Sequence, residues 1–346
     1  MCKYYYKFII GGKLSMAFKI LDSTLRDGSN AINFQFGRKL TRNILSNLEK
    51  GGIQWIEMGH GLGLGATRKC GKPALLSDEE YMDLAKNTLK KANFGFVITK
   101  KFGEKKDIKL ASERGAKFIR IGSNITEVNQ IEDYIKYVKE QGLIVFIALM
   151  KAYAITHMKE YIEILQKLEK WGADVITLMD SAGTMIPEEV KKYINHGKTN
   201  INISLGFHAH NNLQLAITNT ITAIKAGADC VDVSVGGLGR SAGNAPTEIL
   251  AILLEKYGWG KILNYKVLSD LNDNYIFPLI KGQNRFSSES LTFGFAGFHS
   301  NFLPLITKVC KRYPLIDYRD VILALSKKEK VNVNEELINK AIKEML

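Results

Sequence analysis

The sequence predicts a closed (β/α)8 TIM barrel followed by a mostly helical C-terminal module. Eight short β-rich runs alternate with longer amphipathic stretches between residues 18 and 233. That alternation is the pattern of a parallel sheet with crossover helices. Glycines stand where helices end and the next strand begins, at Gly51–Gly52, Gly115, Gly172 and Gly227, as left-handed helix ends favour. The GxGxxG fingerprint of a doubly wound dinucleotide fold does not follow the first strand, which favours the barrel over that alternative.

Taken in order, strands are predicted at 18–22, 54–58, 94–98, 118–121, 144–149, 175–179, 203–207 and 230–233. Between them, 38–50, 78–91 and 157–170 read as amphipathic helices. A barrel of this kind takes about 250 residues, so the 346-residue chain has an appendage to spare. The expected division is an N-terminal extension at 1–16, a loose arm, then the barrel at 17–262 and a helical module at 263–346. A Phe/Gly-rich interruption at 293–302 breaks that module, and no low-complexity linker precedes it, so it should pack on the barrel.

Composition narrows the class. No apolar run reaches the roughly 18–20 residues of a membrane span, and the first 16 residues lack the apolar core and cleavage site of a signal peptide. Cys2, Cys70, Cys230 and Cys310 are scattered, without CxxC spacing, which predicts reduced thiols in the cytoplasm. The net charge is +13. The lysines are interleaved with acids and accompany no nucleic-acid motif, so they read as solvated helix faces, with steering of anionic substrates second. Neither nucleic acid nor membrane is expected as a partner. Assembly with further copies of the chain is expected.

Barrels of this class put chemistry at the C-terminal ends of their strands. After the first strand come Arg26 and Asp27. A carboxylate there can bind a hard metal, and an arginine can hold a carboxylate or an enolate. Alone, Arg-Asp-Gly is more simply a salt-bridged turn. The seventh strand runs into His208 and His210, two residues apart and so on one side of the strand. Two imidazoles and a carboxylate with open positions suit Mn²⁺, Fe²⁺, Zn²⁺ or Co²⁺. Asn212 continues that motif and can orient the histidines. Ser181, after the sixth strand, is placed to hydrogen-bond a substrate, and Asp180 is a supporting or a turn residue with equal weight. The glycine-rich loop after the eighth strand brings Asn244 toward the metal. After the second strand, Glu57 can order Arg26, and His60 can line the substrate mouth; a purely structural role is equally open for each.

Together Thr-Leu-Arg-Asp-Gly, His-Ala-His-Asn-Asn and the Gly-Asn loop resemble the DRE-type metallolyase superfamily, which includes the HMG-CoA lyases. Within it the chain is most similar to the 4-hydroxy-2-oxovalerate aldolases, from about Phe18 to the C-terminus. The resemblance implies a divalent-metal class II aldolase that cleaves or forms a bond between a pyruvate enolate and an aldehyde. It implies Mn²⁺ as the usual ion, with Zn²⁺, Co²⁺ or Mg²⁺ as alternatives. Asp27, His208 and His210 would be the ligands, Arg26 would stabilise the enolate, and Ser181 would hold the 2-oxo acid. It also implies an acylating aldehyde dehydrogenase as partner, met through the C-terminal module.

The chain departs from that family at three places. Asn30 stands where the family has its base histidine, and His299 stands where the family has a tyrosine. Lys151 and Tyr153 replace a Ser-His pair after the fifth strand. The aldehyde side is therefore rewritten, which points away from acetaldehyde and from the dehydrogenase. His299 is expected to supply the missing base, ahead of His60, with Asn30 holding a water. Lys151 is expected either to pair with an anionic group on the aldehyde or to face solvent at the rim. A Claisen-type acyl-CoA synthase and a metal-binding barrel without activity are the alternatives. Ser29, where such synthases carry glutamate, ranks the synthase lower.

Overall fold

The structure is a computed structural model that describes residues 6–10, 13–283 and 285–345. Eight parallel strands close into a barrel: β2 (Lys13–Asp22), β3 (Trp55–Met58), β4 (Asn93–Ile98), β5 (Phe118–Asn124), β6 (Ile144–Met150), β7 (Val175–Asp180), β8 (Ser204–Ala209) and β9 (Cys230–Val233). Closure is made where β2 pairs with β9, Lys19 opposite Cys230 and Asp22 opposite Val233. All eight predicted strands are present. Ahead of them β1 (Tyr6–Ile10) pairs antiparallel with the start of β2. The expected loose arm is thus a ribbon where it is described, because its backbone groups find partners on the extended start of β2.

The helices follow their local signals. The first spans Arg38–Lys50, as its apolar spacing predicts. The next starts at Asp78 behind a Ser77–Glu80 capping box and stops at Thr88, short of the predicted 91. It stops because Glu49 accepts the N–H groups of Lys90, Lys91 and Ala92 at 2.9, 2.7 and 2.8 Å, which diverts that backbone from the helix.

Period-two alternation along the strands builds the barrel interior in layers. The lower layer is an apolar plug in which the rings of Trp55, Phe118 and Phe146 lie 4.9–5.8 Å apart, with Leu21, Val175 and Cys230 beside them. Two residues further along β3, β5 and β9 come Glu57, Arg120 and Asp232, all buried. Charged side chains therefore sit directly above an aromatic floor, with the Arg120 guanidinium 5.5 Å from the Phe146 ring.

The change of core comes later than the change of sequence pattern at 263. Leu268, Leu271, Ile276 and Ile280 still pack into the barrel's outer core. A separate core begins at Phe293 and joins helices Ser288–Ala296, Leu303–Cys310, Tyr318–Ser326 and Glu335–Lys343 through Phe298, Val309, Ile322, Leu325 and Ile338. Among the described residues no helix is long and apolar enough to cross a membrane.

Candidate active site

The turn after β2 brings Arg26 and Asp27 over the barrel mouth, held by N–H bonds from both residues to the Ser23 carbonyl. β8 delivers His208 and His210 to the same point. One ligand atom from each of Asp27, His208 and His210 lies within 4.8 Å of the others. All three are buried.

Each ligand is fixed from behind. His208 Nδ1 lies 3.0 Å from Asp232 Oδ2. A carboxylate only accepts, so Nδ1 carries a proton and Nε2 is the nitrogen left to face the cluster. Nε2 is buried and has no hydrogen-bond partner, which is the state of a ligand nitrogen. Asp232 is gripped by Arg120 through two bonds of 2.6 and 3.0 Å, and Arg120 reaches Glu57 at 3.2 Å. Glu57 accepts from Arg26 Nε at 2.5 Å, and Arg26 Nη1 donates to Asp27 Oδ1 at 2.7 Å. One buried chain of alternating charge thus links His208 to Asp27. Burial would raise the Asp27 carboxyl, but Arg26 and the two imidazoles outweigh it and hold it well below the usual range. Asp232, raised by burial but lowered more by Arg120 and His208, comes to about 2. His210 is pushed down to about 4, first by burial, so its ring is neutral. A neutral His210, an ionised carboxylate and the orphaned His208 Nε2 fit a divalent ion.

Asn244 donates to Asp27 Oδ2 at 2.9 Å, as its place in the glycine-rich loop suggests. Gly243 permits this. Its φ is +95°, and a Cβ there would meet the Gly237 carbonyl at 2.1 Å and Arg285 Nη2 at 1.7 Å. Arg285 clasps the loop through the carbonyls of Gly236, Gly237 and Ala242. Asn212 does not touch the histidine rings. It ties the loops after β7 and β9 together, donating to Ala182 O and accepting from Ala242 N–H.

Around these ligands lie the remaining candidates. Asn30 donates to the Asp27 carbonyl at 2.9 Å and accepts from Arg240 at 2.8 Å. Ser181 is buried, and its Oγ accepts the Lys151 N–H at 2.9 Å. Tyr153 has a buried hydroxyl without a hydrogen-bond partner and feels the charge of Asp180. Asp180 accepts the N–H groups of Thr184 and Met185, and burial pushes it up to about 7. Lys151 does not face solvent: it is 5% exposed, has φ +58°, and donates from Nζ to the Val331 carbonyl at 2.7 Å. His299 is half-buried and feels the charges of Arg240 and Lys151.

His60 is placed away from the expected substrate role. Its ring stacks 3.8 Å from Phe34, Nδ1 accepts from Leu62 N–H and Nε2 meets the Lys72 carbonyl at 2.9 Å. Both nitrogens are used in holding the loop after β3.

Residues 17–274 match the HMGL-like family. A 4-hydroxy-2-oxovalerate aldolase of Carboxydothermus hydrogenoformans is 34% identical over 92% of this chain and 95% of its own length. The chain belongs to the 4-hydroxy-2-oxovalerate aldolase family. A relative of that name from Thermomicrobium roseum is 36% identical over 92% of this chain and 89% of its own. The carboxyl transferase domain of Rhizobium etli pyruvate carboxylase shares the fold, with a TM-score of 0.76 at 15% identity over 95% of this chain and 60% of that one. Enzymes of the 4-hydroxy-2-oxovalerate aldolase family are divalent-metal-dependent carbon–carbon lyases, and Asp27, His208 and His210 form a group of the kind that could hold such an ion.

Three residues escaped the sequence reading: Arg120, Asp232 and Arg240. The first two carried a signal. A charged residue in the middle of an otherwise apolar strand, as in Phe-Ile-Arg-Ile and Cys-Val-Asp-Val, is buried only when paired. Arg240 lies in a loop and had no such signal.

Proposed function

We propose that the protein is a divalent-metal-dependent aldolase acting on 4-hydroxy-2-oxo acids, with pyruvate as the common product. The observation that carries this reading is the division of labour within Arg26. Its Nε is tied to Glu57 and its Nη1 to Asp27, while its buried Nη2 has no hydrogen-bond partner. A guanidinium fixed at two nitrogens, with a third donor left over beside the ligand cluster, is preorganised for a developing enolate oxygen.

The ion, Mn²⁺ by the family resemblance, would supply Lewis acidity toward the 2-oxo acid. Asp27, His208 and His210 would hold it. In cleavage the 4-hydroxyl gives up its proton and the C3–C4 bond breaks. The electron pair passes into the pyruvate enolate, which Arg26 Nη2 stabilises until C3 takes a proton. The aldehyde leaves. Addition is the reverse, and neither direction needs a redox partner. His299 is the proton acceptor we favour, since both nitrogens of His60 are occupied. Buried Ser181 and half-buried Tyr153 would flank the substrate. The buried Cys230 and Cys310 suit a cytoplasmic location with reduced thiols. An acylating aldehyde dehydrogenase remains the partner class to test by co-purification.

The test is exchange of the pyruvate methyl protons in D₂O, followed by NMR with the Mn²⁺-loaded protein. Exchange is expected from the parent and not from Arg26→Ala. Arg26→Lys should recover little, because an ammonium cannot reproduce the fork. Absence of exchange in a metal-loaded parent would sink the reading.

A further inference from the structure

Two cations at this site have no counter-ion within ion-pair reach among the described residues. Arg240 is half-buried, and its side chain meets only the neutral amide oxygen of Asn30, at 2.8 Å. Among the described residues no carboxylate lies within ion-pair reach of it. Asp27, whose charge acts on it, already serves Arg26, Asn244 and the ligand cluster. Lys151 is more deeply buried. Its ammonium meets one carbonyl, Val331 O, and lies 5.2 Å from the centre of the Phe302 ring. Glu127 and Glu329 act on it only from beyond ion-pair reach. Burial draws Lys151 down to about 8, so it is still cationic at neutral pH.

Holding a buried cation without a partner is unfavourable, because burial removes its solvation and nothing replaces it. Here it is held deliberately. Lys151 adopts a left-handed backbone, with φ +58° and ψ 40°, a conformation that side chains other than glycine and asparagine seldom take. Ser181 Oγ pins its N–H at 2.9 Å. Both lie at the C-terminal mouth of the barrel, Lys151 directly after β6 and Arg240 in the loop after β9, with His299 within electrostatic range of each. Elsewhere in the site the charges offset one another: Glu57 and Asp232 answer Arg26 and Arg120.

We propose that Arg240 and Lys151 form an anion subsite that receives a carboxylate or phosphate on the aldehyde half of the substrate. This rests on the aldolase reading above. The 2-oxo acid brings one carboxylate, which belongs with the ion and Arg26, so the two further cations call for a second anionic group. The substrate class is therefore a 4-hydroxy-2-oxo acid with a negatively charged tail, and its aldehyde product is an anionic aldehyde.

The test pairs aldehydes that differ in charge, using Mn²⁺-loaded full-length protein and pyruvate in the addition direction. Glyceraldehyde 3-phosphate is compared with glyceraldehyde, and succinic semialdehyde with butanal. The expected result is a kcat/KM preference of about tenfold or more for the charged member of at least one pair, the size of one charge-assisted contact. The preferred pair tells phosphate from carboxylate. Lys151→Met and Arg240→Met should each lower that ratio by about tenfold, and Lys151→Arg should retain most of it. Pyruvate exchange in D₂O is read in the same samples. A parent that exchanges pyruvate but shows no preference in either pair overturns the subsite and leaves the aldolase reading standing. No preference, with a raised KM for pyruvate in the methionine variants, also overturns it, because the cations then serve pyruvate. A parent that exchanges nothing overturns both.

Discussion

His208 Nδ1 sits 3.0 Å from Asp232 Oδ2, and both side chains are at most 1% exposed. The same carboxylate takes 2.6 and 3.0 Å bonds from Arg120. One buried aspartate therefore fixes the tautomer of a ligand and anchors the ion-pair chain that ends at Asp27. Removing its charge should damage metal binding without touching a ligand atom. Asp232→Asn is expected to weaken Mn²⁺ binding by about 10–100-fold, the usual effect of losing such a support. Calorimetric titration of the metal-free protein measures it. Parent affinity in a folded variant would show that His208 needs no orienting partner.

Metal should also report on stability. An ion that binds only the folded state adds about 2.7 kcal/mol at a hundred times its dissociation constant. The parent should gain an upward melting shift with Mn²⁺ and lose it on chelation. His208→Ala should show neither change, as one of the three clustered ligands is gone. An equal shift in that variant would place the ion elsewhere.

The barrel was legible because its signals are local. Strand alternation, helix-ending glycines and capping residues each act within a few positions, and all eight strands fell where they were read. Asp27, His208 and His210 were legible because strand ends in a barrel share one mouth. The rest depended on distance in the sequence. Arg120 and Asp232 meet across 112 positions, and Arg240 and Asn30 across 210; no spacing rule predicts such pairs. The left-handed backbone that turns Lys151 inward is likewise set by tertiary contacts.

The glycine-rich loop offers a backbone test. Gly243→Ala forces a side chain against the Gly237 carbonyl at φ +95°. A shift of that loop would move Asn244, which donates to Asp27. The variant should lose about 1–3 kcal/mol of stability in denaturant unfolding, together with metal affinity. A stable variant with parent affinity would mean the loop relaxes freely.

Asp22 supplies a pH test of stability. It is 0% exposed and accepts from Thr24 N–H and Thr247 Oγ. Burial raises it from 3.8 to about 6. A carboxyl raised on folding binds its proton more tightly in the native state. Its contribution is complete below pH 3.8 and is lost as pH rises through about 6. The interval corresponds to about 3 kcal/mol. Asp22→Asn cannot ionise, so the parent should lose stability relative to it between pH 4 and 7. Parallel stability curves for the two proteins would refute the shift.

The last prediction concerns the proton acceptor. Burial first, then the cations Arg240 and Lys151, lower His299 well below 6.5. A base must be unprotonated to act, so lowering its pKa keeps it competent as pH falls. With His299 as base, the acid limb of kcat/KM for aldol addition should lie below pH 6.5, with a level profile from there to pH 8. Its Nδ1 lies 2.6 Å from Asn301 Oδ1 and 3.0 Å from Asn301 N. Nδ1 accepts that N–H in the structure, so acting as base requires the other tautomer, in which Nδ1–H turns to Asn301 Oδ1 and Nε2 is free to take the hydroxyl proton. His299→Ala should reduce turnover by about 10²–10⁴-fold, the range for loss of a general base. Metal content and pyruvate exchange should persist, since neither the ligands nor Arg26 are altered. His60→Ala should unsettle the loop after β3 without moving the acid limb, because its ring nitrogens are already bonded. If His299→Ala turns over at the parent rate while His60→Ala abolishes addition in a folded protein, the base is His60, and the loop after β3 must open to expose it.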